Sequence, residues 1–285
     1  MIDPALLDRL TALSLVSLQR RPGQSGGQRA SRRRGTSQEF ADHRPYVPGD
    51  DLRHLDWHLY GRLDTLWVKL FEAEDDQVVQ CLVDASASMR GDKLTTAKQL
   101  AAAFAWVSLH HGDRVSTASL TDGVVRYRPA RRGRGQAPAI FSELEAIEAT
   151  GPTDLGQAVA RLPRQRGAGT ALLFTDFLFA NDPEPLLRRL LARHTEVWAL
   201  HLLSPADVRP NLMGDVVLVD AETGEEFPTT IDEAMLDRVE ATMIAWADEI
   251  EEACRKLGVS YVRIWTATPL EELLFGQLRA EGALR

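Results

Sequence analysis

From residue 77 onward, short apolar runs alternate with longer segments whose apolar residues recur at helical spacing. Five of the runs are rich in β-branched and large apolar residues, as strands buried on both faces of a sheet are. They are QVVQCLVDAS, RVSTASLTD, ALLFTDF, EVWALHLLS and VSYVRIWT. Strands that alternate with helices indicate βαβ units. The pattern therefore predicts an α/β fold with an open, mostly parallel, Rossmann-like sheet and helices on both faces.

Two further segments alternate apolar and polar residues and are bounded by Gly or Asp, namely VVRYRPAR and GDVVLVDAETGEEF. This pattern is typical of hairpins or of strands added at a sheet edge. The arginines of RYRPARRGRGQ have two equally good explanations. They discourage strand pairing at an exposed edge, or they form a docking patch for an acidic partner.

The N-terminal part of the chain has a different pattern and predicts two segments before the α/β domain. Residues 1–37 read as a short leucine-containing helix followed by a flexible basic linker, RPGQSGGQRASRRRGTS. Residues 38–76 mix aromatic, charged and turn-forming residues and read as an ordered, irregular arm that closes with a strand at Leu66–Phe71. Its alternating Asp and Arg residues favour ion pairs that fasten the arm to the α/β domain, with docking to a partner protein as the alternative. The α/β domain then takes residues 77–285.

Composition narrows the function classes. An apolar fraction of 44% in 285 residues is enough for a cooperative core. The net charge of -8 argues against nucleic-acid binding as the main role, although contact between phosphates and the basic run at residues 20–36 stays open. Two cysteines and no signal-peptide layout favour the cytoplasm, and no apolar run reaches the length of about 20 residues that spans a membrane.

The residues that carry chemistry follow the predicted strands. Asp84, Ser86 and Ser88 lie where the first predicted strand turns into a helix, Asp176 is the penultimate residue of ALLFTDF, and Thr153 lies in the loop GPTDL before a helix. Ligands of open α/β sheets bind beyond the carboxyl ends of the strands, where these loops lie. Carboxylates and hydroxyls without sulfur or imidazole suit Mg²⁺ or Mn²⁺. The sequence therefore predicts a metal site at this edge.

Each part of this set also has an ordinary structural explanation, because Asp, Ser and Thr cap helices and stabilise turns. A functional alternative is a Mg²⁺- or Mn²⁺-assisted phosphohydrolase or nuclease. Such an enzyme needs a general acid or base, for which only Asp154 and Asp92 lie close in sequence to the proposed ligands. The chain has no Walker A motif or dinucleotide fingerprint, and we expect no enzymatic activity.

The motif DASAS, together with Thr153 and Asp176, resembles the metal-ion-dependent adhesion site of von Willebrand factor A domains. The resemblance runs from residue 77 to the C-terminus and implies a von Willebrand factor A-like domain. It also implies that Asp84, Ser86, Ser88, Thr153 and Asp176 bind a divalent cation that bridges to a carboxylate on a partner protein.

The arm, GTSQEFADHRPYVPGDDLRHLDWHLYGRLDTLWVKLFEAEDD, resembles the signature that precedes this domain in bacterial proteins of domain-of-unknown-function family 58. That resemblance implies partnership with a MoxR-type AAA+ ATPase. It further implies an adaptor role in the chaperone-like assembly or maturation of a client protein, whose identity the sequence does not give.

Overall fold

A computed structural model describes residues 2–16, 39–48, 50–72, 77–121, 125–152, 154–163, 169–179, 182–220 and 224–285. The described residues fall into two compact units. One is an arm of residues 39–72, and the other joins residues 2–16 to residues 77–285. None of the helices in these ranges is both long enough and apolar enough to cross a membrane.

The helices and strands follow one another in the order that the βαβ pattern predicts. The helices are α1 (Pro4–Leu10), α2 (Trp57–Leu63), α3 (Asp92–His110), α4 (Ala137–Glu145), α5 (Leu155–Arg161), α6 (Glu184–Leu191), α7 (Pro205–Val208), α8 (Glu233–Leu257), α9 (Leu270–Glu272) and α10 (Leu278–Ala280). The strands are β1 (Glu39–Pro45), β2 (Trp67–Glu72), β3 (Val78–Asp84), β4 (Arg114–Leu120), β5 (Val125–Arg132), β6 (Gly169–Thr175), β7 (Glu196–Leu203), β8 (Gly214–Val219), β9 (Glu226–Ile231) and β10 (Ser260–Trp265).

The central sheet has the strand order β10-β7-β6-β3-β4-β5. Its first five strands in this order run parallel, and β5 pairs antiparallel with β4 at one edge. The predicted mostly parallel α/β fold is therefore confirmed. The segments expected to form hairpin or edge strands do so, since β5 lies at the sheet edge and β8 pairs with β9 in a separate two-stranded hairpin.

Apolar side chains cover both faces of the sheet, which explains why its central strands lack an alternating pattern. In β3, the side chains of Val79, Cys81 and Val83 join one core cluster, whereas Leu82 joins the other. Helices α1, α3 and α4 contribute to the first cluster, and α5, α6 and α8 to the second. Both cysteines are free and buried, one in each cluster.

Helix α1 belongs to the α/β unit, although the sequence analysis grouped it with the linker in residues 1–37. Leu6 and Leu10 lie one helical turn apart and are buried in the first core cluster. The indole N–H of Trp106 on α3 donates a hydrogen bond to the carbonyl oxygen of Leu7, at 2.9 Å. The linker that follows, with its basic run, lies outside the described residues.

The arm is more regular than its sequence suggested, because β1 and β2 form an antiparallel pair and α2 lies between them in the chain. Among the described residues, Asp50 and Asp56 form ion pairs with other residues of the arm. Arg44 holds Asp50 through two hydrogen bonds of 2.7 Å, and this contact lowers the pKa of Asp50 to about 2. Asp56 accepts hydrogen bonds from the backbone of α2 and from His43, which fixes the start of the helix.

The arginine-rich segment forms most of the edge strand β5. Arg126, Arg128 and Arg131 line a cavity of about 500 Å³ between β5 and α4. Arg128 also forms an ion pair with Glu143 of α4. Pro129 in the same strand has no backbone N–H and so limits further strand pairing at this edge.

The buried side chain of His194, between α6 and β7, should make the fold less stable in acid. Burial, with a smaller contribution from Arg193, lowers the pKa of this imidazole to about 4. Its contribution to stability is therefore complete above pH 6.5 and is lost as the pH falls towards 4, at about 2 kcal/mol by pH 5. We expect His194→Gln to remove this part of the decline in the free energy of unfolding between pH 8 and pH 5, measured by urea denaturation. The exposed His58→Gln serves as the control, and an equal decline in all three proteins would contradict this assignment.

Candidate metal site

The aspartate and serine turn lies at the carboxyl end of β3. Asp84 is the last residue of the strand and is only 2% exposed, and Ser86 directly precedes a short 3₁₀ helix, Ala87–Met89, that contains Ser88. One oxygen of Asp84 accepts the backbone N–H of Ser86 at 2.9 Å. The hydroxyl oxygens of Ser86 and Ser88 are 2.9 Å apart. The turn thus holds two hydroxyls and a carboxylate close together.

The neighbouring strand β6 brings a second carboxylate to this turn. Val83 of β3 is in register with Phe174 of β6, so the residues that follow them, Asp84 and Thr175, are side by side. The Thr175 hydroxyl donates to the second oxygen of Asp84 at 2.6 Å. Asp176 comes next and is 1% exposed, with one oxygen accepting the Leu178 N–H at 3.0 Å. Parallel pairing therefore places both predicted aspartates at one edge of the sheet.

Of the predicted ligands, Thr153 lies outside the described residues. Residues that precede it in the chain nevertheless contact the turn. The backbone N–H of Thr150 donates to the carbonyl oxygen of Ala85, and the N–H of Ala87 donates to the carbonyl oxygen of Gly151, both at 2.9 Å. Asp154, one of the two residues considered as an acid or base, accepts the N–H of Gln157 at 2.9 Å and caps α5.

Electrostatics at the turn favour the presence of a cation. Burial and the nearby charge of Asp176 raise the pKa of Asp84 to about 7, against the opposing effect of hydrogen bonds from Thr175 and Ser86. Two carboxylates that are both buried repel each other when both are ionised. A positive charge placed between them and the serine hydroxyls relieves that repulsion.

Lys93 supplies part of this positive charge, although no pattern in the sequence marks it as a site residue. It is the second residue of α3, yet its side chain is 4% exposed. Its ammonium contacts an oxygen of Asp176 at 2.7 Å and an oxygen of Asp207 on α7 at 2.9 Å. Burial alone would lower the pKa of Lys93, but the two carboxylates outweigh it and raise the pKa, so the side chain stays charged.

The backbone is strained at Phe177, the residue after Asp176. Phe177 has a φ of 54°, in the left-handed region that non-glycine residues seldom adopt. The conformation is held by complete burial of its ring and by a hydrogen bond of 3.1 Å from its N–H to the Thr175 hydroxyl. Strain of this kind, about 1 kcal/mol or more, is frequent at binding sites, where the surrounding structure maintains it.

The residues present fit a hydrated Mg²⁺ or Mn²⁺. Octahedral coordination at the Mg–O distance of about 2.1 Å puts adjacent ligand oxygens about 2.9 Å apart, which matches the separation of the Ser86 and Ser88 hydroxyls. Within the described ranges, no three His, Cys, Asp or Glu side chains cluster in a way that could hold a metal. The predicted set is of a different kind, since it contains two carboxylates and three hydroxyls.

The chain is similar in sequence to mycobacterial proteins and, more distantly, to several solved structures. The uncharacterized protein Rv1480 of Mycobacterium tuberculosis (strain H37Rv) is 30% identical over 273 residues, which are 93% of this chain and 86% of that protein. An aerotolerance-related membrane protein of Bacteroides fragilis matches with a TM-score of 0.37 and 18% identity, covering 62% of this chain and 99% of that one. The VWA domain of SpRpn10 matches with a TM-score of 0.34 and 11% identity, covering 68% of this chain and 90% of that one.

The family model described as protein of unknown function DUF58 matches residues 42–245, which include the last part of β1, the metal-site turn and about half of α8. The match thus takes in both the arm and the α/β unit and covers more than half of the chain. The chain therefore belongs to the DUF58 family.

Proposed function

We propose that this protein is a metal-dependent protein–protein interaction module of the von Willebrand factor A-like kind and has no catalytic activity of its own. Asp84, Ser86, Ser88, Thr153 and Asp176 would hold Mg²⁺ or Mn²⁺, and an acidic side chain of the partner would complete the metal shell. The observation that supports this most strongly is the pair of serine hydroxyls, 2.9 Å apart, beside the buried carboxylate of Asp84.

The charge balance explains why the partner should be acidic. A bound divalent cation supplies an electrophilic coordination position. The hydroxyl ligands add no negative charge, and the Asp176 carboxylate already contacts the Lys93 ammonium at 2.7 Å. The protein therefore leaves much of the cation's charge uncompensated. A Glu or Asp of another protein is the ligand that neutralises the remainder.

A MoxR-type AAA+ ATPase is our proposed partner, with the adaptor acting in the assembly or maturation of a client protein. The support for this is the resemblance of the arm and the DASAS motif to family members linked with such ATPases. In this arrangement ATP hydrolysis belongs to the partner, and the present chain contributes the metal-dependent contact.

A pull-down with a purified MoxR-type AAA+ ATPase tests the proposal. We expect retention of the ATPase in Mg²⁺, and loss of at least about tenfold in EDTA or with Ser86→Ala combined with Ser88→Ala, because two metal ligands are removed. The control combines Ser142→Ala with Thr242→Ala, which change two exposed hydroxyls on α4 and α8 and should bind normally. Retention that survives both EDTA and the serine changes contradicts metal-dependent binding.

A turnover assay separates the interaction module from the hydrolase. We expect no release of phosphate from a simple phosphate ester and no cleavage of DNA with Mg²⁺ or Mn²⁺. Turnover that disappears in Asp84→Ala would instead support metal-assisted hydrolysis.

A further inference from the structure

Lys93 is placed unusually for a lysine at the start of a helix. Such lysines usually extend into water, since burying an ammonium without a partner is costly. A positive charge is also unfavourable near the N-terminus of a helix, which is the positive end of the helix dipole. Here the side chain is 4% exposed and ends between carboxylates from two separate elements, Asp176 after β6 and Asp207 on α7. The fold thus brings a single ammonium to the edge of the sheet that carries the proposed metal ligands.

The contact with Asp176 limits what that carboxylate can do for a metal. One oxygen of Asp176 accepts the Leu178 N–H at 3.0 Å, and the other contacts the ammonium at 2.7 Å. A cation that binds Asp176 directly must displace the ammonium or share an oxygen with it. Asp207 offers the displaced ammonium a second partner, already at 2.9 Å and more exposed to solvent, with 26% of its side chain accessible.

We infer that Lys93 is an internal cation that competes with the divalent metal for Asp176 and thereby weakens metal binding. Metal binding becomes strong only when a carboxylate of the partner also coordinates the metal. This inference rests on the proposed metal site and deepens it. The ammonium compensates the buried carboxylate of Asp176 when the metal is absent, so this side chain stays in place without metal. Lys93 acts through Asp176 and is therefore a positioning residue.

The substitution Lys93→Met tests this competition, because Met fills similar volume without charge. Removing one positive charge close to a divalent cation should tighten Mn²⁺ binding by at least about tenfold, measured by electron paramagnetic resonance of free Mn²⁺. The matched control is Lys98→Met on the same helix, where the ammonium donates to the Glu145 carbonyl at 3.0 Å. Its Mn²⁺ affinity should equal that of the natural protein.

The second readout is thermal stability. Without metal, Lys93→Met should melt at a lower temperature than the natural protein, because Asp176 loses its buried counter-ion. With saturating Mg²⁺ its melting temperature should rise by more than that of the natural protein, since tighter binding adds more stability. A purely structural lysine would lower the melting temperature without improving Mn²⁺ affinity.

The outcomes separate this inference from the proposed function. If the natural protein binds Mn²⁺ and Lys93→Met binds it equally or more weakly, the internal-cation role is wrong and the metal site stands. If only Lys93→Met binds Mn²⁺, the internal-cation role stands and metal-dependent binding by the natural protein is wrong. If neither binds, both are wrong.

The substitution Asp207→Asn provides an independent variant should Lys93→Met not fold. It removes the negative charge of the alternative partner while keeping an oxygen that can accept the Ser204 N–H. Asp176 is then the only carboxylate in contact with the ammonium and holds it more strongly, so we expect Mn²⁺ affinity to fall several-fold. Unchanged or tighter binding by Asp207→Asn would overturn the inference.

Discussion

Replacing Asp84 by asparagine is expected to weaken Mn²⁺ binding by at least about 100-fold, because loss of partners outside the metal shell alone commonly costs 10–100-fold. The same change should stabilise the metal-free protein. Burial and Asp176 raise the pKa of Asp84 to about 7, so ionisation of this carboxyl costs stability. That cost is absent below the unfolded-state pKa near 4 and complete above pH 7. At pH 8 we expect the free energy of unfolding to rise by up to about 4 kcal/mol, which is the free energy that corresponds to a pKa raised from near 4 to about 7.

Asparagine is the informative replacement because it keeps the hydrogen-bonding atoms. Its amide oxygen can accept the Ser86 N–H, and its amide nitrogen can donate to the Thr175 hydroxyl in place of the present contacts at 2.9 and 2.6 Å. Asp92→Asn, an exposed carboxylate on the first turn of α3, is the control for net charge. Calorimetry with and without Mn²⁺ gives both the Mn²⁺ affinity and the free energy of unfolding of the metal-free protein. An Asp84→Asn protein that is less stable without metal, or that binds Mn²⁺ normally, would contradict a charged metal ligand at this position.

The sheet was predictable from sequence because its strands are defined locally. Buried parallel strands contact helices on both faces, so their sequences are continuous apolar runs that stand out from the amphipathic helices between them. Each of the five predicted runs overlaps one of the strands β3, β4, β6, β7 and β10, and only β6 begins before its run, by two residues. By contrast, β1 in the arm has the sequence EFADHRP, whose charged and proline residues give no strand signal.

The candidate site was predictable to the extent that its residues follow strand ends. Asp84 and Asp176 terminate apolar runs, and parallel topology brings such residues to one edge. Thr175 was missed although it directly precedes Asp176, because a hydroxyl inside an apolar strand is also an ordinary core residue. Its role depends on the register between β3 and β6, which no local pattern specifies.

Lys93 and Asp207 were missed for a different reason. A lysine in the first turn of a helix has the sequence signature of a solvent-exposed residue, and Asp207 lies in a short helix where it also completes a capping box with Ser204. Only the tertiary structure brings these two side chains within 2.9 Å of each other. Sequence patterns therefore gave the proposed ligands and not the cation that already neutralises one of them.

The substitution Phe104→Ala is expected to lower the free energy of unfolding by about 3–5 kcal/mol, the usual cost of removing a fully buried aromatic ring. Phe104 lies on α3 and is 1% exposed. Its ring centre is 6.3 Å from that of Phe174 in β6, so the helix and the sheet meet at this pair. The alanines at positions 101, 102, 103 and 105 are also completely buried, so this part of α3 lies inside the core. Urea denaturation at pH 8 measures the loss.

Phe104→Leu is the matched variant, because it keeps a large apolar side chain and should cost only about 1–1.5 kcal/mol. The dependence of the unfolding free energy on urea concentration should be the same for both variants, since neither changes the surface exposed on unfolding. Phe174 is followed in β6 by Thr175 and then by Asp176, so loss of packing at Phe104 also removes support beneath the candidate site. Mn²⁺ affinity should therefore fall in Phe104→Ala and stay near normal in Phe104→Leu. Destabilisation of Phe104→Ala below about 1 kcal/mol would mean that α3 does not pack on β6 through this ring.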